Sequence, residues 1–597
     1  MSARRVPAWE RRFRAPVVLF PRWARDAPDK LVYASNVEGS YQLYGWDRVT
    51  RARKRLTANG IGVMTGRPTN DGGSVVWFED TTGDETGRLL VTPLAGGDAR
   101  PLSNDLPVGW PAGLELGDRF AAVGISQVGK YQVHLAMPDG EASVLLEQAD
   151  PLHVAAMTPD GRLLCLSHPQ GQDTIHTALR VVETRMGRII GSQADGLGKG
   201  LHAHSFSPVP GDRRIAFTHE KQGLSRPGTW DPEGDERRDY PCSVPGDLHI
   251  ADWYPDGRAL LLVHEHEGRN RLHRLDLFSG GLEELTHPEG TISGAAVRPD
   301  GHVWLRHASG GRPATVIRLD GTPVLDSGEA APEGVPYRSW FFENQAGDRV
   351  HGFIASPPGP GPHPVLMWVH GGPTSAYTDT FMPDVQAWVD HGVAVAMVNY
   401  RGSTGYGSAW RDRLIGNPGL PEVEDVVAGL KDLVSQGLAD PARAMIGGRS
   451  WGGYVTLMAI GTEPDRFSVA LATVPVADYS AAYEDESADL QAYDRTLFGG
   501  SPETVPEIYR ERSPLTYIGN VKTPVLIVGG DNDSRCPIRQ IINYTDEMKK
   551  RGLQFELYRY SAGHGSMLVE ERLKQFRLEL DFANRHLPGG LPIPDPA

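Results

Sequence analysis

The chain has 597 residues, 40% hydrophobic and 23% charged, with a formal net charge of −15; this exceeds the roughly 100 to 200 residues of one domain, so two unequal cores are expected. No apolar run approaches the ~20 residues of a membrane span, and the acidic balance lacks the basic block that nucleic-acid phosphate requires. The three cysteines, Cys165, Cys242 and Cys536, lie too far apart for a disulfide framework or a CxxC metal site, so a reducing, cytoplasmic setting is expected, with no metal, no cofactor and no membrane or nucleic-acid partner.

The opening stretch "MSARRVPAWERRFRAPVVLF" is basic, but Pro and Arg interrupt its apolar run and no small-residue cleavage site follows. It reads as an N-terminal extension, residues 1–24, rather than a secretory signal.

Short apolar runs then recur at "LVY" 31–33, "VVW" 75–77, "FAAV" 120–123, "LLCL" 163–166, "IAF" 215–217, "LLLV" 260–263 and "VWL" 303–305. Between Val32, Val76, Ala121, Leu164, Ala216, Leu261 and Trp304 the steps are 44, 45, 43, 52, 45 and 43 residues. Several runs follow a Pro-Asp-Gly turn, as in "AAMTPDGRLLCL" and "ADWYPDGRALLLV", and precede a second alternating segment. Turn chemistry followed by period-two alternation marks hairpins, and a period of ~40 to 45 residues with four short strands is that of a propeller blade. Residues 25–332 are therefore expected to form a seven-bladed β-propeller. Stacked β-sandwiches would not repeat at this period. The 52-residue step suggests an extended hairpin, placed in the segment "EKQGLSRPGTWDPEGDERRDYPC" after the strand at 215–217.

The texture changes near residue 335. Apolar strands are expected at 365–369, 393–398, 444–447, 469–473, 524–529 and 555–560, alternating with helices at 421–436, 451–461, 538–551 and 566–585. Nearly all-apolar strands alternating with helices predict a doubly wound, mostly parallel sheet covered on both faces. That domain is assigned to residues 333–597.

In such sheets, reactive groups gather at the carboxyl ends of strands. Ser450 lies in "IGGRSWGGYVT", a G-x-S-x-G pattern flanked by Gly448 and Gly452 between a strand and a helix, where a strained turn would expose a nucleophile. A serine N-cap on a glycine-flanked helix is the plainer alternative. His564, in "YSAGHGSM", follows the last strand, where a triad base belongs in the chain order Ser, Asp, His. Asp531 and Asp533, in "VGGDNDSRCP", are the candidate acids; Asp533 is preferred because Asp531 directly follows its strand and is explained as a turn residue. The oxyanion of a tetrahedral intermediate needs waiting donors. "HGGP", residues 370–373, ends an early strand, and the N–H of Gly372 would pair with that of Trp451.

These motifs, with "NYRGSTGYG" at 399–407, resemble the prolyl oligopeptidase family of serine peptidases, and within it "HGGP" and "NDSR" look most like the acylaminoacyl peptidase branch. The resemblance covers both parts of the chain. It implies a propeller joined to an α/β-hydrolase domain, supports Asp533 as the triad acid, and suggests that Arg535 reaches a substrate carbonyl oxygen, an ion-pair role being the alternative. The adjacent glutamates of the dipeptidyl-peptidase branch have no counterpart here; "EGDERRDY", Glu233 to Tyr240, is the nearest acidic cluster.

The expected activity is hydrolysis of short peptides through an acyl-enzyme on Ser450, with the propeller restricting access. Val474, Tyr479 and Tyr483 are candidates for the substrate side-chain pocket. An aminopeptidase or carboxypeptidase of the same family, an esterase, and a catalytically dead interaction module are the competing readings. Homo-oligomerisation stays open.

Overall fold

The computed structural model describes residues 6–137, 140–325 and 327–593; the first five residues of the expected N-terminal extension and the last four of the expected C-terminal domain lie outside these. Among the described residues no helix is long and apolar enough to cross a membrane.

Seven four-stranded antiparallel sheets follow one another from Arg22 to Leu325, each built from four consecutive strands. This is a seven-bladed propeller. Every apolar run used to count the repeat is the second strand of its blade, from Lys30–Ser35 in the first to Val303–Ser309 in the seventh. The Pro-Asp-Gly turns join first to second strands. Gly161, Gly257 and Gly301 take φ values of 72°, 67° and 83° there, and each aspartate accepts a backbone N–H two residues on, the local bond that makes Asp-Gly a turn former. Among the described residues no strand is exchanged between first and last blades. Apolar packing closes the ring, with Trp304 in ring contact with both Trp23 and Trp46 and Val18, Leu31, Val316 and Leu325 around them.

The long step resolves differently from the expectation. Residues 226–239 are an ordinary third and fourth strand, Arg226–Asp231 and Glu236–Asp239. The additional length sits earlier, in the hairpin of Leu163–Gln170 and the eleven-residue strand Asp173–Glu183. Its tip contacts the second domain, where Thr174 bonds to Thr496 and Ala492. A period alone locates added residues only between two repeats; which hairpin holds them depends on packing partners outside the repeat.

The C-terminal domain is an eight-stranded sheet of β1 (Arg338–Glu343), β2 (Arg349–Ala355), β3 (His363–Val369), β4 (Ala394–Asn399), β5 (Ala439–Arg449), β6 (Val469–Thr473), β7 (Val525–Gly530) and β8 (Phe555–Tyr560). Spatial order is β1-β2-β4-β3-β5-β6-β7-β8, antiparallel at the β1–β2 edge and parallel from β4 onward. This is the α/β-hydrolase arrangement. Its longer helices are α1 (Pro383–Asp390), α2 (Leu420–Ser435), α3 (Trp451–Thr462), α4 (Tyr479–Asp485), α5 (Ala488–Phe498), α6 (Ile538–Lys550) and α7 (Val569–His586). Strand β3 shows the two-faced burial that parallel sheets require: Val365, Met367 and Val369 join the core under α2, α3 and α6, whereas Leu366 joins the one under α1 and α7. Helix α3 is buried on nearly every side, which explains its unbroken apolar and small-residue sequence.

The N-terminal helix Ala8–Arg14 packs on this domain rather than on the propeller. Trp9 and Phe13 contact Phe576, and Arg12 pairs with Asp390. The propeller meets the hydrolase domain mainly through turns between second and third strands. Arg411 pairs with Glu220, Arg269 with Asp379, and Ser408 N–H donates to the Gly223 carbonyl.

Candidate active site

Ser450 stands between β5 and α3 with φ 58° and ψ −123°, a conformation that a non-glycine residue holds only under constraint. Its N–H donates to the Thr473 carbonyl at 2.9 Å, and its carbonyl accepts the Tyr454 N–H at 2.9 Å. The flanking glycines are sterically required. A Cβ at Gly448 would lie 2.6 Å from the Val369 carbonyl oxygen and the Gly452 carbonyl carbon, and one at Gly452 would overlap that same Val369 oxygen. The elbow is thus wedged between β3 and the first turn of α3.

Two loops at later strand ends converge on it. After β7, Asp533 is enclosed, and its Oδ1 accepts the backbone N–H groups of Arg535 and Cys536, both at 2.9 Å. The His564 ring, after β8, places Nδ1 2.9 Å from Asp533 Oδ2 and 3.0 Å from Oδ1. Asp531 instead pairs with Arg559 at 2.7 Å. The two acids of "DNDSRCP" thus separate into a surface ion-pair partner and a histidine partner. Among the described residues no hydrogen bond joins Ser450 Oγ to the His564 ring; such contacts are often long in ligand-free sites and tighten with substrate.

The third loop is the "HGGP" turn after β3. A Cβ on Gly371 would sit 3.4 Å from that of Ser450, so the backbone approaches the elbow closely. Gly372, at φ 132°, donates its N–H to no backbone acceptor among the described residues. Trp451 is the first residue of α3, where an N–H has no intrahelical partner. Both groups are available as donors. Behind the turn, His370 is completely buried, stacked on Tyr400 at 4.1 Å, with Nε2 2.8 Å from Ser403 Oγ. Burial lowers its pKa to about 4, so the ring is a neutral prop. Tyr400 donates to the His370 carbonyl at 2.9 Å, and Thr404 N–H reaches the Ser375 carbonyl. The "NYRGSTGYG" segment therefore braces this turn.

Other sequence candidates fall in different surroundings. Arg535 is held by Glu85 of the second blade, Nε to Oε2 at 2.8 Å and Nη2 to Oε1 at 2.7 Å. Val474 is fully enclosed in the core at φ 43°. Tyr479 packs on Trp451 and Tyr454, at 6.2 and 5.3 Å between ring centroids. Tyr483 contacts Tyr509 and receives Arg495 Nη1 at 3.0 Å. Of Ser450's neighbours, Arg449 extends toward the His564 carbonyl at 3.4 Å, and Tyr454 is buried against Gly419.

Two neighbours of the elbow were not among the sequence candidates for the site. Glu422, fully buried at the start of α2, accepts the Trp451 indole N–H at 3.1 Å and the Gly419 N–H at 2.7 Å; burial raises its pKa to about 8. Cys536 is buried with its thiol within hydrogen-bonding reach of Ser450, and burial, then the nearby Asp533, push that thiol well above its ordinary range. Its position three residues after Asp533 was the available clue.

Residues 379–590 match the prolyl oligopeptidase family. The "Uncharacterized peptidase YuxL" of Bacillus subtilis (strain 168) is 28% identical over 264 residues, 43% of this chain and 39% of its own. The acylamino-acid-releasing enzyme of Rattus norvegicus is 30% identical over 239 residues, 39% of this chain and 33% of its own. The matches thus span about a third to two fifths of these curated relatives. A crystal structure of puromycin hydrolase superposes over 100% of this chain and 98% of its own with a TM-score of 0.83 at 21% identity, a likeness of fold. The elbow and the loops that converge on it thus lie in the part of the chain that matches the prolyl oligopeptidase family.

Proposed function

We propose that the chain is a serine peptidase of the acylaminoacyl peptidase kind, hydrolysing short peptides through an acyl-enzyme, with Ser450 as nucleophile, His564 as base and Asp533 as its partner. The observation that carries this reading is the His564–Asp533 pair, 2.9 Å apart, beside a serine held at positive φ. In the first step Ser450 Oγ bonds to the scissile carbonyl carbon while His564 Nε2 takes its proton; Asp533 fixes the ring tautomer and stabilises the imidazolium. The N–H groups of Gly372 and Trp451 receive the oxyanion, each such donor typically worth ~3 kcal/mol of barrier. The C–N bond then breaks as His564 returns the proton to the departing amine. Water, deprotonated by His564, attacks the ester, and its second tetrahedral intermediate expels Ser450.

The propeller caps the chamber and limits substrates to short peptides. We divide the chain into an N-terminal extension to residue 24, a propeller over 25–332 and the hydrolase domain from 333. Arg535 keeps Nη1 for a substrate carbonyl while Glu85 holds its other two nitrogens. The enclosed positions of Val474 and Tyr479 support a role in shaping the pocket wall, with Tyr483 further out. Three free thiols suit a cytoplasmic setting.

The test is fluorophosphonate labelling of the wild type and Ser450→Ala, followed by mass spectrometry of a peptide library with blocked and free N-termini after digestion. Labelling confined to Ser450, with cleavage absent in Ser450→Ala, is expected. Turnover of esters but of no amide would overturn the peptidase reading.

A further inference from the structure

A polar cavity of about 140 Å³ lies behind the elbow, on the face of the sheet covered by α1 and α7. Its walls are attached to both ends of the candidate site. Arg449 precedes Ser450, and the Thr473 carbonyl accepts the Ser450 N–H. Gly565 and Ser566 follow His564, whose carbonyl receives Arg449 Nη1 at 3.4 Å. Three polar side chains that line the cavity are almost fully enclosed: Thr473, Gln575 and Glu579 are 3%, 4% and 8% exposed. Glu579 Oε1 accepts the Thr473 hydroxyl at 3.3 Å, and among the described residues its other oxygen has no hydrogen-bond partner. Burial raises the Glu579 pKa to about 8, with Asp384 adding to the effect and Arg449 opposing it.

Four charged side chains line this one cavity, Asp384, Arg449, Arg572 and Glu579, and among the described residues none of them forms an ion pair. Asp384 and Arg572 make no side-chain hydrogen bond among these residues either; the Arg572 guanidinium lies over the Phe13 ring, 5.6 Å from its centroid. Arg449 makes two long contacts, 3.4 Å to the His564 carbonyl and 3.5 Å to Gln575 Oε1. Elsewhere in the same domain such charges meet directly, as Arg559 meets Asp531 and Arg401 meets Asp425. Holding charged groups at an enclosed site without opposite charges is costly, and a ligand that supplies those charges removes the cost.

We infer that this cavity binds a small zwitterion, a free amino acid such as L-alanine, with its carboxylate between Arg449 and Arg572 and its ammonium against Asp384 and Glu579. The volume is near the ~150 Å³ that holds a benzene molecule, which has as many heavy atoms as alanine, and Trp368 and Phe576 supply an apolar wall for the ligand's side chain. Charge-assisted bonds of both signs satisfy the groups that the protein leaves unpaired, whereas a ligand with a single charge leaves the opposite pair without a partner. The ammonium favours the ionised form of Glu579, whose proton passes to solvent on binding. A carboxylate that draws Arg449 away from the His564 carbonyl loosens the histidine loop and slows turnover. The binding site stands on the cavity and its charges; that its occupant is a hydrolysis product acting back on the enzyme rests on the peptidase reading above.

The probe is L-alanine, titrated calorimetrically into protein whose Ser450 has been blocked with a fluorophosphonate, so that the substrate cleft is already filled. Binding with a Kd on the order of 1 mM is expected, at least about tenfold tighter than that of propionate or ethylamine, which carry one charge each. It should be lost in Arg572→Gln and in Glu579→Gln. In steady-state assays with a chromogenic amide, L-alanine should lower kcat about tenfold, less than the ~100-fold of a 1 Å misplacement, and leave KM unchanged. Arg572→Gln should keep the wild-type kcat without alanine and lose the inhibition. No heat with the blocked protein, or inhibition that raises KM alone, would place alanine in the substrate cleft and overturn the inference. Propionate or ethylamine binding as tightly as alanine would overturn the zwitterion. Should Glu579→Gln fail to fold, Arg572→Gln decides. An unlabelled Ser450 overturns the peptidase reading alone; the titration is then made on untreated protein, where alanine binding that disappears in Arg572→Gln supports the site and binding that survives there removes it.

Discussion

Gly563 and Gly83 meet across the domain interface with no room for a side chain on either: a Cβ on Gly563 would overlap the Gly83 carbonyl, and one on Gly83 would stand 2.5 Å from the Gly563 nitrogen. The turn around Gly83 belongs to the second blade, and Gly563 immediately precedes His564. Beside this contact, Asn532 Nδ2 donates to the Thr82 carbonyl at 2.8 Å, and Glu85 holds Arg535. One propeller turn therefore touches the loops of both Asp533 and His564, tying the position of the histidine ring to domain closure.

Gly563→Ala should push the His564 loop from its seat without unfolding either domain. A displacement of ~1 Å at a catalytic group costs about 100-fold in rate, so kcat/KM should fall by roughly that factor while thermal unfolding stays cooperative. Steady-state kinetics with a chromogenic amide checks it, and a Gly563→Ala protein with wild-type kcat/KM would show that the contact does not govern the loop.

The elbow makes a different prediction. At Gly452 a methyl collides with the Val369 carbonyl of a central strand, and backbone on both sides of the clash is buried. Overpacking of this kind costs about 1 to 3 kcal/mol. Gly452→Ala should lower the urea midpoint accordingly and slow fluorophosphonate labelling of Ser450. An unchanged midpoint would mean that β3 and α3 move apart more easily than their packing indicates.

Much of this was readable beforehand, for reasons that differ by element. The blade count was legible because each second strand, such as Leu163–Gln170 or Ala259–His266, is buried in the middle of its sheet and must be apolar. The hydrolase strands were legible for the same reason, whereas the β1–β2 hairpin was missed because its residues follow a Pro/Gly-rich stretch and alternate weakly. Ser450, Asp533 and His564 became candidates through their order along the chain, and the structure brings the last two into contact. Glu422 was invisible, since a buried acid looks like any surface acid until its partners are known. Arg535 had two sequence readings, and only the position of Glu85 revealed the ion pair.

The thiols offer a chemical test. Cys165 and Cys536 are buried and Cys242 is partly buried; burial raises all three above their ordinary range, and Cys165 and Cys536 furthest. Because the thiolate is the reactive form, iodoacetamide at pH 8 should modify Cys242 first in the native protein and leave hydrolysis intact. Peptide mapping after timed alkylation reads this directly. Modification of Cys536 at the rate of Cys242, with loss of activity, would show that the surroundings of Ser450 are open.

The interface between the domains should respond to alkaline pH through His176. Its ring is 2% exposed, with Nδ1 2.8 Å from Asp173 in the propeller and Nε2 3.0 Å from Asp412 in the hydrolase domain; Arg411, paired with Glu220 and Asp412, flanks it. Burial disfavours the charged ring, but the bonds to the two aspartates outweigh that and raise its pKa from 6.5 to about 9. A histidine whose folded pKa is raised stabilises the native state fully below the unfolded value and loses that contribution as pH rises through the folded one. The window is therefore pH 6.5 to 9, and the contribution at stake is about 3 kcal/mol at most. Chemical denaturation across this range should show stability declining in the wild type, and a shallower decline in His176→Asn, which keeps a donor for one aspartate without the charge. Equal slopes in the two proteins would remove His176 as the source, leaving the charged groups around it to hold the domains together without a titrating link.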